Sequence, residues 1–331
     1  MPSGYHWTCT VLPRPGVPPP DERRLISAPS ESAFIATFGS LMPQASFLQT
    51  PNGRAAIYEL PPSSSSPADA TNAISRVLFV HGIQTSAIGL QPLASALSAR
   101  FPFAKCVLVD LWGHGLTDTP LVPHAAALFH SLLESVMVHL GWKNAHLVGF
   151  SFGASATASF AAAKPERVAS MALVAPAGFI RQGEFEELHR SYLRGGEGIE
   201  EQAKQWILQL LEGGDLVVPA DWKERVDKGE VVAEAVRDWQ MKNHEGHVAS
   251  VVAIFRDGGV LDNDNEFLKA ANTGIKTFCI LGELDDIVSG KDLLNVGMKN
   301  YVVVPQAGHA VVREKVPEVA KLIEEFWKTL E

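Results

Sequence analysis

The 331-residue sequence has few cysteines and no long hydrophobic run. Its three cysteines are an odd number, and their spacing suits neither a disulfide framework nor a metal site. No segment approaches the roughly 18 consecutive apolar residues that a membrane-spanning helix needs. The N-terminus also lacks the charged and apolar regions of a secretory signal peptide. These absences predict a cytoplasmic protein with reduced thiols and no membrane span.

Other missing patterns limit the classes of partner and cofactor. The formal net charge of -9 disfavours nucleic acids and anionic membrane surfaces as partners. The sequence contains no glycine-rich loop of the kinds that bind nucleotide phosphates or dinucleotides. It also contains no clustered cysteine and histidine ligands and no H-E-x-x-H pattern for zinc. We therefore expect no cofactor and no metal ion.

A regular alternation of buried strands and helices occupies most of the chain. An Asn-Gly turn predicts a hairpin at residues 47–60. Nearly continuous apolar runs, typical of parallel strands buried on both faces, follow at residues 76–80, 106–109, 145–148, 169–174, 276–281 and 301–304. Helices are predicted at residues 90–100, 123–140, 154–163 and 314–330. This alternation predicts an α/β fold in which helices cover both faces of a mostly parallel sheet.

Two parts of the chain interrupt the alternation. Residues 1–45 begin with a proline-rich stretch and are expected to form an irregular N-terminal arm. Residues 179–271 have a charged, helical pattern with tryptophans at intervals, and we expect them to form an inserted helical lid. This division leaves residues 46–178 and 272–331 as the core of the fold.

The most informative motif is Gly149-Phe150-Ser151-Phe152-Gly153, which lies between a predicted strand and a predicted helix. In this context the G-x-S-x-G pattern is typical of a nucleophile elbow, a sharp turn that exposes a serine hydroxyl. Side chains two positions before and after the serine would collide with the neighbouring strand and helix. The helix N-terminus also stabilises negative charge. The motif predicts that Ser151 is a catalytic nucleophile.

Four segments together resemble the α/β-hydrolase-fold superfamily. They are the elbow, His81-Gly82-Ile83, residues 110–118, which resemble a D-x-x-G-H-G-x-S-D loop, and residues 282–288, which resemble a G-x-x-D-x-x-V stretch. The resemblance extends from about residue 47 to residue 330. It implies an eight-stranded, mostly parallel sheet, a helical lid, and a catalytic serine, acid and histidine in that order along the chain.

The order serine, acid, histidine indicates where the base and the acid lie in the sequence. His309 has the required position, because it lies in a loop of small residues between the last predicted strand and the last helix. Three carboxylates, those of Glu283, Asp285 and Asp286, follow the preceding strand. The resemblance assigns the acid to Asp285, three residues after Gly282, and leaves Asp286 as the main alternative.

The resemblance also implies an oxyanion hole formed by two backbone N–H groups, those of Ile83 and Phe152. Such donors stabilise the developing alkoxide by roughly 3–4 kcal/mol each. Gln84 stands where many members of the superfamily have proline. His114 and Asp118 are expected to be structural residues and not a metal-binding pair.

We therefore predict a cofactor-independent serine hydrolase that acts through an acyl-enzyme on Ser151. The expected substrate is an apolar small molecule with an acyl ester, lactone or thioester bond, because phenylalanines flank the serine and the insertion is rich in apolar residues. The residues expected to line the substrate pocket are Gln84, Phe150, Trp206, Trp239, Val251 and Val288.

Three alternatives remain on the same fold. One is a releasing or macrolactone-forming thioesterase, in which a substrate hydroxyl captures the acyl-enzyme. Another is a hydrolase of carbon–carbon bonds in β-diketone-like substrates, or a related cofactor-free perhydrolase. A third is a small-molecule receptor without catalysis. Epoxide hydrolases and haloalkane dehalogenases of this fold are disfavoured, because they use aspartate where this chain has Ser151.

Overall fold

The computed structural model of the chain describes residues 10–17, 25–64 and 74–330. Cys9 and most of the proline-rich stretch lie outside the described residues. Residues 25–45 differ from the irregular arm expected there, because helix α1 (Glu31–Phe38) forms within them. Ser30 caps this helix by accepting a hydrogen bond from the Ala33 N–H, and the helix buries Phe34 and Phe38.

The core is a single eight-stranded sheet. Its strands are β2 (Ala45–Thr50), β3 (Gly53–Leu60), β4 (Arg76–Val80), β5 (Lys105–Val109), β7 (Ala145–Phe150), β8 (Val168–Val174), β9 (Lys276–Gly282) and β10 (Tyr301–Val304). Their order is β10-β9-β8-β7-β4-β5-β3-β2, with antiparallel pairing only among β2, β3 and β5. Two short strands, β1 (Leu25–Ile26) and β6 (Thr119–Pro120), pair separately. The predicted α/β fold and mostly parallel sheet are confirmed.

Helices cover both faces of the sheet, because successive residues of a buried strand point to opposite faces. In β4, Leu78 and Val80 join one apolar cluster, whereas Val77 and Phe79 join the other. The core helices are α2 (Gln91–Arg100), α3 (Ala126–His139), α4 (Phe152–Ala163), α11 (Gly290–Asn295), α12 (Val311–Glu314) and α13 (Val316–Lys328). Helices α3 and α4 pack in the first cluster, and α2 and α13 pack in the second.

Six further α-helices lie between β8 and β9. They are α5 (Glu187–Arg194), α6 (Glu200–Glu212), α7 (Trp222–Asp227), α8 (Ala233–Asn243), α9 (His247–Asp257) and α10 (Asp264–Asn272). The last of them, α10, packs against α4 of the core. None of the helices in the described ranges is both long and apolar enough to cross a membrane. Cys106 and Cys279 are free and buried, and burial raises the pKa of each thiol to about 12.

Candidate active site

Ser151 occupies the turn between β7 and α4, at the end of a central strand. Its backbone has a φ of 53° and a ψ of -121°, a combination that costs energy for any residue with a side chain. A Cβ on Gly149 would lie 2.6 Å from Ala154 Cα, and a Cβ on Gly153 would overlap the Val80 carbonyl oxygen. The two glycines of the motif are therefore required by the close approach of α4 to β7 and β4.

Three side chains from separate loops form a continuous hydrogen-bonded series. The Nε2 atom of His309 lies 2.8 Å from Ser151 Oγ, and its Nδ1 atom lies 3.0 Å from Asp285 Oδ2. A carboxylate can only accept, so Nδ1–H donates to Asp285 and Nε2 is left to accept from the serine hydroxyl. The Asp285 side chain is fully buried, whereas that of His309 is 25% exposed. The arrangement matches the requirements of a nucleophile, a general base and an orienting acid.

The other two carboxylates after β9, those of Glu283 and Asp286, do not contact His309. Glu283 accepts a hydrogen bond from the Gln306 N–H, which joins the acid loop to the loop that carries His309. Asp286 is exposed to solvent and lines the cavity beside Ser151. The second oxygen of Asp285 accepts from the Ile287 N–H at 2.9 Å, so this carboxylate is held on both sides. Of the three, Asp285 alone contacts His309 within the described part of the chain.

The two backbone donors expected for the oxyanion are also beside the serine. Phe152 is the first residue of α4, where a helix leaves its N–H without an intrahelical partner. Neither the Phe152 N–H nor the Ile83 N–H has a hydrogen-bond acceptor among the residues that the structure describes. Both residues line the same cavity as Ser151 and His309. Two unpaired donors are thus available near the nucleophile.

Gln84 follows Ile83 with a φ of 69°, and a set of side chains holds it in this left-handed conformation. Its N–H donates to His114 Nε2 at 3.2 Å, and its carbonyl oxygen accepts from the Gln240 side-chain amide. The oxygen of that amide accepts from the Gly115 N–H at 2.8 Å. Gln240, on α8, is fully buried and was not singled out by any motif in the sequence.

His114 and Asp118 make internal hydrogen bonds instead of facing the cavity. Asp118 accepts from the Ala28 N–H at 2.9 Å and from the Arg54 N–H at 2.8 Å. Burial and the nearby imidazole of His247 hold the pKa of His114 well below its usual range, so this ring is neutral and can accept from Gln84. In the described residues no group of three or more potential metal ligands comes together.

A cavity of about 280 Å³ opens beside Ser151. Gln84 and Phe150, both expected in the pocket, contribute to its wall. The inserted helical region contributes chiefly apolar side chains, which are those of Ile180, Phe185, Leu210, Leu211, Phe255 and Val260. Two arginines, Arg237 and Arg313, also line it, and the sequence pattern did not identify either of them.

Four residues expected in the pocket lie outside this cavity. Trp239 packs against Phe34 and Phe38 of α1, with ring centroids 5.4 and 5.9 Å away. Trp206 stacks on His189 at 4.7 Å and lies behind the wall, against the cavity-lining ring of Phe185 at 5.2 Å. Val251 and Val288 are buried in the protein interior and do not reach the cavity. Apolar periodicity located buried helix faces here, but it could not distinguish core packing from a pocket wall.

Comparisons with known proteins agree with this fold. Over 107 residues the chain is 36% identical to the dihydrolipoyllysine-residue acetyltransferase component of the acetoin cleaving system of Cupriavidus necator. That match covers 31% of this chain and 27% of the relative, so the chain corresponds to about a quarter of that protein.

Two solved structures have the same architecture at low sequence identity. The enol-lactonase of Burkholderia xenovorans is 18% identical with a TM-score of 0.61, covering 86% of this chain and 100% of the enzyme. A meta-cleavage product hydrolase of Pseudomonas fluorescens is also 18% identical with a TM-score of 0.60, covering 88% and 99%. Residues 77–322 match the family described as the alpha/beta hydrolase family. Since this match includes most of the chain, the protein belongs to the alpha/beta hydrolase family.

Proposed function

We propose that the protein is a serine hydrolase that cleaves an acyl ester, lactone or thioester bond through an acyl-enzyme on Ser151. The observation that carries the proposal is the hydrogen-bonded series from Ser151 through His309 to Asp285. A serine hydroxyl is a weak nucleophile at neutral pH, and it needs a base that is itself oriented by an acid. All three groups are present at hydrogen-bonding distances.

Each chemical step has a residue to perform it. Ser151 Oγ attacks the acyl carbon while His309 Nε2 accepts the hydroxyl proton. The resulting oxyanion accepts hydrogen bonds from the N–H groups of Ile83 and Phe152. His309 then donates its proton to the leaving group, and a water molecule attacks the acyl-enzyme with His309 again as the base. Release of the acid restores the serine hydroxyl.

We further propose that the inserted region, residues 179–271, acts as a lid over the site. Side chains from this region, including Phe185, Leu211 and Phe255, form part of the cavity wall. A lid of this kind excludes water and selects the acyl group by shape. The apolar wall supports a substrate with an apolar portion.

The test is replacement of the nucleophile. Ser151→Ala should lower turnover of a p-nitrophenyl ester by at least about 10³-fold, because the acyl-enzyme route is removed. Ser155→Ala is a matched control, since this serine lies in the first turn of α4, just after the elbow, but donates to the Gly259 carbonyl oxygen at 2.7 Å. The control should retain activity and fluorophosphonate labelling. Near-normal turnover by Ser151→Ala would refute the assignment.

A further inference from the structure

The two arginines that line the cavity differ in their partners. Arg237 Nε lies 2.8 Å from Glu212 Oε1, and its Nη2 lies 3.3 Å from Glu234 Oε1. The Arg313 guanidinium has neither a hydrogen bond nor an ion pair with any residue that the structure describes. Its central carbon lies 5.4 Å above the ring of Phe150, the residue before the nucleophile. Arg313 is thus an unpaired cation in the wall of the candidate active site.

The carboxylates near Arg313 form hydrogen bonds or ion pairs with other groups, or are exposed to solvent. Glu212 pairs with Arg237 and also accepts from the Gln84 side-chain amide at 2.9 Å. Glu234 pairs with Arg237, and Glu314 accepts from the Gly308 N–H at 3.1 Å. Asp286, the other acid in the cavity wall, is exposed to solvent, where water screens its charge. These carboxylates lie near enough to interact with the Arg313 charge, but within the described residues none of them makes a hydrogen bond or ion pair with its guanidinium.

A half-buried cation without a counterion is unfavourable, and a bound anion would relieve that cost. Burial and the neighbouring Arg237 guanidinium lower the pKa of Arg313 to about 10, so it still carries its charge at neutral pH. Arginine binds carboxylates through two parallel N–H···O bonds, which makes it a specific receptor for this group. The apolar wall and the cation together favour a substrate that combines an apolar portion with a carboxylate.

Arg313 lies close to the proposed catalytic residues. The Phe150 ring centroid lies 5.5 Å from the His309 ring and 5.4 Å from the Arg313 guanidinium carbon. One aromatic ring therefore separates the proposed base from the cation. Resting on the serine hydrolase function proposed above, we propose that Arg313 binds a carboxylate of the substrate while Ser151 attacks its acyl carbon. The preferred substrates are then acyl esters, lactones or thioesters that carry a carboxylate.

Matched ester pairs test this assignment. One pair is p-nitrophenyl hydrogen glutarate and p-nitrophenyl pentanoate, which differ in the charge at the end of the acyl chain. The other is the butyrate ester of p-hydroxybenzoate and that of its methyl ester, which differ in the charge of the leaving group. The wild-type protein should prefer the charged member of at least one pair by about 10- to 100-fold in kcat/KM, as expected for a hydrogen bond to a charged group.

Arg313→Gln should reduce that preference to about twofold or less, through a larger fall in kcat/KM for the charged member than for the neutral one. Arg313→Lys, which keeps the charge but not the planar donor pair, should retain part of it. Arg225→Gln removes the same charge at a position outside the cavity lining and should leave the preference unchanged. The melting temperature of Arg313→Gln should change little, because the guanidinium has no hydrogen bond or ion pair to lose and only its contact with the Phe150 ring is removed.

Two results would overturn the assignment. One is a wild-type protein without preference for the charged member of either pair, and the other is a preference that Arg313→Gln and Arg313→Lys both retain in full. In either case continued hydrolysis of the neutral esters and fluorophosphonate labelling of Ser151 would leave the serine hydrolase function intact. A wild-type protein that shows neither fluorophosphonate labelling nor ester hydrolysis would instead contradict the serine hydrolase function.

Discussion

Replacement of Gln240 by leucine should impair both stability and catalysis, although Gln240 does not line the cavity. Its buried side-chain amide donates to the Gln84 carbonyl oxygen and accepts from the Gly115 N–H. Gln240→Leu would leave both backbone groups buried and unpaired, at roughly 1–3 kcal/mol each, so the free energy of unfolding should fall by about 2–6 kcal/mol.

The catalytic effect follows from the loop that Gln84 belongs to. Without its anchor the positive-φ turn can relax, and the Ile83 N–H next to it moves away from the oxyanion position. Loss of one such donor typically lowers kcat by about 10²–10³-fold. We therefore expect kcat for a p-nitrophenyl ester to fall while KM changes less, in conditions where the variant is fully folded.

The assay combines urea unfolding with steady-state kinetics on the same preparations. Gln209→Leu is the matched control, because Gln209 lies on the exposed face of α6 and should leave both quantities unchanged. A folded Gln240→Leu protein with wild-type kcat would refute the proposed link between α8 and the oxyanion loop.

Three further predictions concern the acid, pH and the lid. Asp285→Asn should lower kcat by about 10³–10⁴-fold, whereas Asp286→Asn should have a small effect, and the reverse ranking would move the acid to Asp286. Burial lowers the pKa of His81 to about 4 and of His247 to about 3. Below about pH 6.5 these histidines bind protons in the unfolded chain but not in the folded one. The free energy of unfolding should therefore decrease between pH 6.5 and pH 4, by up to about 1.4 kcal/mol per pH unit for each histidine. A urea midpoint that rises on acidification would contradict this. Leu211→Phe narrows the cavity and should shift the preference towards shorter acyl chains while fluorophosphonate labelling persists; an unchanged chain-length profile would count against the lid.

The strands, the elbow and the histidine loop were readable from the sequence because strong local constraints specify them. Runs such as residues 76–80 must be buried on both faces, and the glycines around Ser151 are required by close backbone contacts. The ends of parallel strands meet at one edge of the sheet, so the loops with Asp285 and His309 come together there. Helix α1 was not predicted although Phe34 and Phe38 have helical spacing, because it is only eight residues long and follows a proline-rich stretch that favours irregular structure.

The pocket wall was not predictable in the same way. A helix with an apolar face must pack against something, but periodicity does not identify the partner. Trp239 therefore seemed a good pocket residue, yet α1 covers it. Arg313 resembles an ordinary surface arginine in the sequence, and only the packing of Phe150 and α12 places it in the cavity. The first of these contacts depends on how the insertion docks on the core, and the second depends on how β7 and α12 pack within it.

The most direct test of the account is a rapid-mixing experiment with a p-nitrophenyl ester, combined with peptide mass spectrometry of the quenched protein. The account predicts a burst of p-nitrophenol that approaches one equivalent per protein, followed by slower steady turnover, with the acyl group attached to Ser151. Turnover without any acylated Ser151, or an acyl group on another residue that persists in Ser151→Ala, would contradict it.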